Sequence, residues 1–217
     1  MDRAGLTRQI ARDVWPFLAE QGFVTSTGRS AWRHLKHRVD VINFQSVNWA
    51  WEGSGQAFTI NLGIFFICVP DLIVALRRRD DVFVPEEWMC HLRRCVPPPG
   101  ATGDDKDVWH VPEGLDATQV VEVLGGFALP WLHHYRDVGI ACDLVGRGDA
   151  VEDGCGNNPS PHRSLVTGFL ALAARRHERA IAHLHAARES GSYEFMDATL
   201  EAAIREAASR VRRRVRL

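Results

Sequence analysis

VDVINFQSVNWAWEGSGQAFTINLGIFFI, residues 39–67, contains two runs of β-strand character around a polar, glycine-containing turn. In the first run, Ile42 and Phe44 occupy alternate positions, and the second run continues this alternation over five apolar residues. A period of two predicts strands with one face directed to a core. This stretch therefore predicts a β-hairpin whose core face carries Phe58, Ile60, Leu62, Ile64 and Phe66.

The opposite face of the hairpin mixes polar side chains with tryptophans. Carboxamides donate and accept hydrogen bonds, and tryptophan offers a large, rigid contact area. We therefore predict that this face binds a peptide, a protein or a small polar ligand. The alternative is that the amides pair across the hairpin and the tryptophans belong to the core. The candidate binding residues are Trp32, Asn43, Gln45, Trp49, Trp51, Thr59 and Asn61.

The residues before the hairpin predict one helix and two short strands. Apolar residues recur at helical spacing over residues 3–20, where Pro16 is expected to kink the helix or to mark an earlier end, and Gly22 is expected to follow its end. Short strands are expected at 23–27 and 31–35. The predicted fold is α+β: an antiparallel four-stranded meander with the N-terminal helix on its apolar face and a C-terminal helical tail.

Three segments resemble a known family. VINFQ at 41–45, FTINLGIFF at 58–66 and the upstream WPFLAEQGF at 15–23 are similar to domain of unknown function 4304 (DUF4304), an uncharacterised bacterial family. The resemblance extends over residues 10–69 and more loosely to about residue 145. It implies an α+β fold and a bacterial cytoplasmic setting, and it implies no activity, substrate or catalytic residue.

The second half of the chain is predicted to be mainly helical. Short helices are expected at 71–79 and from Pro85 to Arg94, and a further helix is expected after a cap at Asp116, interrupted by Gly125, Gly126 and Pro130. The glycine-rich and polar residues 147–161 predict a linker. The expected organisation is therefore a domain at 1–146, the linker, and a tail at 162–217 whose first two helices resemble one tetratricopeptide-type hairpin.

Composition and charge exclude several classes of protein. Apolar residues make up 46% of the 217 residues, which suffices for a packed core, and the net charge of −1 argues against nucleic acid and acidic membranes as partners. The first twenty residues are too charged for an export signal, and no run is long enough to span a bilayer. Five scattered cysteines then predict free thiols in a reducing cytoplasm.

Two groups of residues contain side chains that could bind a metal or take part in catalysis. Cys90, His91 and Cys95, with His110, contain zinc-binding atoms, but their spacing within a predicted helix is unlike a zinc knuckle, and no metal or cofactor is predicted. Four residues on one helix suggest general-base or nucleophilic chemistry, although a thiol and an imidazole eight residues apart lie about 12 Å apart along a helix. These four residues are His133, His134, Asp137 and Cys142.

Three functional hypotheses follow. The first is a non-enzymatic accessory protein, of immunity type by analogy, that binds a protein or peptide through the polar, tryptophan-edged face. The second is a hydrolase or transferase with a site near His110, His133 and His134. The third is nucleic-acid binding through the arginines of residues 210–217, although helix capping and solvation also explain them. Exposed helical stripes are compatible with a homodimer.

Overall fold

The structure is a computed structural model that describes residues 3–47, 56–70, 78–79, 82–103, 106–111, 115–147 and 163–215. Two helices, α1 (Arg3–Asp13) and α2 (Trp15–Glu20), form the N-terminal amphipathic segment. Pro16 lies in the first turn of α2, where its missing N–H costs no helical hydrogen bond. Gly22 follows with φ of +82°, so the predicted kink and helix end are both confirmed.

The predicted antiparallel meander is confirmed. It consists of β1 (Val24–Thr27), β2 (Ser30–His34), β3 (Arg38–Val47) and β4 (Gln56–Phe66), joined in that order. The register of β3 and β4 pairs Ile42 with Leu62, so the alternating apolar residues share one side of the sheet, here called the inner face. α1 and α2 pack there through Leu6, Ile10, Val14, Trp15 and Leu18.

The helix expected from Pro85 to Arg94 is wrong. A single 3-10 turn at Glu87–Met89 leads instead into β7 (Leu92–Val96), which pairs with β4. Leu92 and Val96 face Ile64 and Ile60 across this pair, because an extended segment also places alternate apolar residues on one side. β7 pairs with the edge of β4 that β3 leaves free. The residues that signal helix ends in the sequence do not reveal this pairing.

Two further short strands lie between β4 and β7. β5 (Arg78–Arg79) pairs with β6 (Val82–Phe83) in a separate antiparallel ladder. The helix expected at 71–79 is therefore wrong at Arg78–Arg79, and residues 71–77 lie outside the described residues.

A further strand, β8 (Trp109–Val111), pairs with the start of β4. α3 (Ala117–Val123) begins at its predicted cap, where the Gln119 backbone N–H donates to Asp116 Oδ1 at 3.1 Å. The expected interruption takes the form of a π-helical segment, Leu124–Ala128, that continues into α4 (Leu129–His134). A break at residues 135–137 then precedes α5 (Val138–Arg147).

The predicted helical tail consists of α6 (Arg163–Ala173), α7 (His177–Glu189) and α8 (Asp197–Val215). A Cβ atom at Gly168 would lie 2.6 Å from Leu184 Cδ2, so this glycine permits the close packing of α6 on α7. The tail docks on α5, since Arg176, the N-cap residue of α7, and Arg179 of α7 both donate to Asp143 Oδ1 at 2.5 Å. Tail and sheet share one hydrophobic core. Residues 148–161 of the predicted linker, and the first residue of the predicted tail, lie outside the described residues.

Cys68, Cys90 and Cys142 are free thiols, as expected, whereas Cys95 is disulfide-bonded, which corrects the expectation at that position. Among the described helices, none is both long and apolar enough to cross a lipid bilayer.

Candidate binding face

The sheet face opposite the helices, here called the outer face, has a covered end and an open end. At the covered end, Trp32, Val39, Val41, Phe65 and Cys90 form a second, smaller hydrophobic cluster. Residues 83–90 lie across it and contribute Phe83 and Val84 at its margin. The outer face is therefore not a uniformly polar surface.

Two polar contacts and one glycine fix this cover over the sheet. Trp32 Nε1 donates to the Pro85 carbonyl oxygen at 2.8 Å, and Arg93 Nε donates to Glu87 Oε1 at 2.7 Å. A Cβ atom on Gly63 would lie only 2.5 Å from Cys90 Sγ. Gly63 is needed here because the 3-10 turn approaches the β4 backbone more closely than a larger residue allows.

At the open end lies the amide face, which we define as Ser30, Asn43, Gln45, Thr59 and Asn61. The strand register places Ser30 opposite Asn43 and Asn43 opposite Asn61, with Gln45 opposite Thr59. Directly opposed residues of antiparallel strands project to the same side of a sheet. The structure therefore brings the predicted polar residues of β3 and β4 together on one face.

The amides of this face are held by hydrogen bonds between neighbouring strands. Asn43 Nδ2 donates to Ser30 Oγ at 2.8 Å, and Asn61 Nδ2 donates to Gln45 Oε1 at 2.9 Å. Asn61 is 1% exposed, Asn43 and Thr59 are half-buried, and Gln45 is exposed. Part of the face therefore pairs internally, as the alternative interpretation expected, and three polar side chains still reach its surface.

The tryptophans predicted at the margin of this face have different outcomes. Trp32 lies on the same side of β2 as Ser30, but it is 5% exposed because residues 83–90 cover it. It therefore belongs to the covered end and adds little surface to the amide face. Trp49 and Trp51 lie outside the described residues.

His110 belongs beside the amide face, which the sequence did not indicate. β8 places His110 opposite Ala57 of β4, on the same side of the sheet as Thr59, and its side chain is exposed. Ser30 was likewise missing from the predicted set. Both omissions have one cause: the register of β2 and β8 depends on tertiary pairing, whereas the alternation within β3 and β4 is visible in the sequence.

Comparison with known proteins identifies a family. The family described as "Domain of unknown function (DUF4304)" matches residues 14–134, more than half of the chain. The chain belongs to the DUF4304 family. The matched region begins between α1 and α2 and ends with α4, so it contains the whole amide face and excludes the tail. No curated protein and no solved structure matches the chain.

The four zinc-type residues of this DUF4304 protein have separate environments. His91 is buried, and its Nδ1 accepts a hydrogen bond from the Phe66 backbone N–H at 2.9 Å. Cys90 lies beneath the cover, where burial raises the pKa of its thiol, and Cys95 Sγ lies 3.5 Å from Asn61 Oδ1 on the amide face. Within the described part of the chain, no group of three or more histidine, cysteine or carboxylate side chains could hold a metal ion.

The histidines of the proposed enzymatic site are not brought together. Arg38 Nη2 donates to the Leu132 carbonyl oxygen at 2.7 Å, which places the end of α4 beside the residue pair Arg38–Phe66. His110 lies instead at Ala57, about 30 Å away along β4 at roughly 3.3 Å per residue. His133 and His134 are exposed, so the three imidazoles do not form one site.

Asp137 and Cys142 have structural roles in this family member. Asp137 Oδ1 accepts from the backbone N–H groups of Gly139 and Ile140 at 2.8 and 3.0 Å, which caps α5 rather than orienting a catalytic histidine. Cys142 is fully buried with Sγ 3.9 Å from the Thr167 carbonyl oxygen, and burial raises the pKa of its thiol. A raised pKa opposes formation of the nucleophilic thiolate.

Proposed function

We propose that this DUF4304 protein is a non-enzymatic binding protein that engages a protein or peptide partner through the amide face. The observation that carries the proposal is the grouping of Asn43, Gln45 and Thr59 on one open part of the sheet. Exposed carboxamides and hydroxyls satisfy both donors and acceptors of a peptide backbone or polar side chain. His110, beside Thr59, adds an imidazole that can donate and accept hydrogen bonds.

Preorganisation supports binding at this face. The side-chain oxygen of Gln45 accepts a hydrogen bond from the buried Asn61, and this bond fixes the orientation of the Gln45 carboxamide. The N–H groups of the same carboxamide take no part in that bond. A side chain already held in place loses less conformational entropy when a partner binds. Residues 83–90 pack on the second hydrophobic cluster, whereas Gln45 is exposed and Asn43 and Thr59 are half-buried.

The cellular role belongs to the same proposal. We place the protein in a bacterial cytoplasm as an accessory or immunity-type factor. A second copy of the chain, bound in a homodimer, is one candidate for the partner. The free thiols Cys68, Cys90 and Cys142 support a reducing compartment, with the Cys95 disulfide as the exception. The bacterial assignment is supported by the family resemblance.

The test is partner capture with a variant that changes the exposed surface and preserves the internal bonds. In Gln45→Glu/Thr59→Arg, the glutamate still offers Asn61 an oxygen acceptor, and the arginine adds bulk and charge where Thr59 is half-buried. The immobilised parent chain is used to capture proteins from the native host, which are identified by mass spectrometry. We expect the variant to bind the captured partner at least about tenfold more weakly, a loss of about 1.4 kcal/mol.

The matched control is Gln119→Glu/Thr118→Arg, the same two substitutions at exposed positions of α3. It should retain the partner with parental affinity. Retention of every captured protein by the amide-face variant would refute the proposal, and so would equal losses in both double variants.

A further inference from the structure

The C-terminal helix extends beyond the part of the core that it helps to form. α8 has 19 residues and α7, on which it packs, has 13. The buried positions of α8 within the described residues end at Ala207, and Val211 is only half-buried. Residues 208–213 of α8 therefore contribute little to the packing of the helical tail.

The end of this helix carries a high positive charge. Residues 207–215, AASRVRRRV, contain four arginines and no acidic side chain, although the chain has a net charge of −1. Glu201 pairs with Arg205 at 3.1 Å and Glu206 with Arg210 at 3.9 Å. Ion pairing with upstream glutamates therefore accounts for Arg205 and Arg210. It does not account for Arg212 and Arg213.

Arg212 and Arg213 are exposed, and neither forms an ion pair with any described residue. An open groove of about 570 Å³ lies along the same helix. Among the residues that the structure describes, it is lined by Arg205, Ala208, Ser209, Arg212 and Arg213. Guanidinium groups and small side chains of one helix face therefore border this space.

We propose that the end of α8 binds the phosphate backbone of a nucleic acid. At 3.6 residues per turn, Arg212 and Arg213 lie about 100° apart around the helix, and with Arg205 and Arg210, which pair with Glu201 and Glu206, the arc extends to roughly 160°. A helix lying in a duplex groove meets phosphates on both flanks, and a groove about 12 Å wide admits an α-helix. Arginine also matches phosphate through bidentate hydrogen bonds.

The composition of α8 favours nucleic acid over a membrane. Helices that lie in a bilayer surface bury large apolar residues such as Trp, Phe and Leu. The half-buried apolar residues along α8 are Ile204, Ala208 and Val211, and no aromatic residue occurs in the helix. The site therefore offers charge with little apolar surface to insert among lipids.

Fluorescence anisotropy with the full chain tests the proposal. The probes are labelled 20-mers of duplex DNA, duplex RNA and single-stranded RNA at 50 and 200 mM salt, with anionic phospholipid vesicles as a separate arm. We expect salt-sensitive binding to at least one nucleic acid, and Arg212→Gln/Arg213→Gln should weaken it about tenfold at 50 mM salt. Each lost phosphate contact should reduce the slope of log affinity against log salt by about 0.9.

The matched control is Arg8→Gln/Arg163→Gln, which removes two exposed arginines elsewhere and changes the net charge equally. It should stay within about twofold of the parent, and circular dichroism should show both variants folded. The nucleic-acid arms decide between RNA and DNA. Absence of salt-sensitive binding to any of them, equal losses in the two variants, or tighter binding to vesicles than to nucleic acid would overturn the proposal.

Discussion

His91 is an imidazole placed where its protonation is unfavourable. It is 4% exposed, lies against the Phe65 ring with centroids 4.5 Å apart, and uses Nδ1 as an acceptor for the Phe66 N–H. Burial lowers its pKa to about 3 from 6.5. Neutral His91, the residue that follows the cover, is thus connected to the end of β4 by this hydrogen bond. Its lowered pKa lies far from the value near neutrality that suits a catalytic base.

The depressed pKa of His91 predicts loss of stability in mild acid. Below pH 6.5 the unfolded chain binds a proton at His91 that the folded chain does not bind until about pH 3. This residue should therefore lower the free energy of unfolding by about 2 kcal/mol between pH 8 and pH 5. Urea titrations across this range should show a shallower pH dependence in His91→Gln than in the parent, and parallel profiles would contradict the assignment.

At the scale of elements, the cover of the outer face depends on a buried ion pair. Arg93 donates to both carboxylate oxygens of Glu87 at 2.7 and 3.1 Å, and both side chains are less than 10% exposed. Burial raises the pKa of Glu87, and the adjacent guanidinium opposes that shift. The pair connects the 3-10 turn to β7 and so sets the boundary between the covered end and the amide face.

Glu87→Gln should destabilise the protein by about 3 kcal/mol, because it removes the carboxylate to which the buried Arg93 guanidinium donates two hydrogen bonds. Glu87→Gln/Arg93→Gln removes both charges and should recover part of that loss. The control is Glu122→Gln on the exposed side of α3, where a change within about 0.5 kcal/mol is expected. Urea midpoints measure all three, and a Glu87→Gln midpoint equal to that of Glu122→Gln would show that the pair does not stabilise the cover.

The elements also show which features a sequence can predict. Alternation in β3 and β4 reports the inner and outer faces directly, because the period of two belongs to the strand itself. The segment from Pro85 to Arg94 carries helix signals at both ends, yet Leu92 and Val96 complete a sheet whose open edge exists only in three dimensions. Alternation within β3 and β4 was enough to predict their residues of the amide face. Ser30 and His110 were missed because their places beside these residues depend on pairing with other strands.

At the scale of the whole molecule, the tail and the sheet are expected to unfold together. α5 buries Ala141, Cys142, Leu144 and Val145, and the residues that cover this helix include those of α6. The Arg176 and Arg179 contacts with Asp143 are partly exposed and add little stability in water, so the apolar interface must supply most of the coupling. The linker then separates two segments of sequence that share one core.

This coupling can be measured because all seven tryptophans precede the tail, so tryptophan fluorescence reports only on residues 1–147. Leu165 of α6 is fully buried, and Leu165→Ala should cost about 2–5 kcal/mol. If the core is shared, this tail substitution lowers the urea midpoint seen by tryptophan fluorescence as much as the midpoint seen by circular dichroism. The exposed tail substitution Thr199→Ala should leave both midpoints nearly unchanged. A fluorescence midpoint that stays at the parental value in Leu165→Ala would mean that the sheet folds without the tail, because the change would then be confined to α6, α7 and α8.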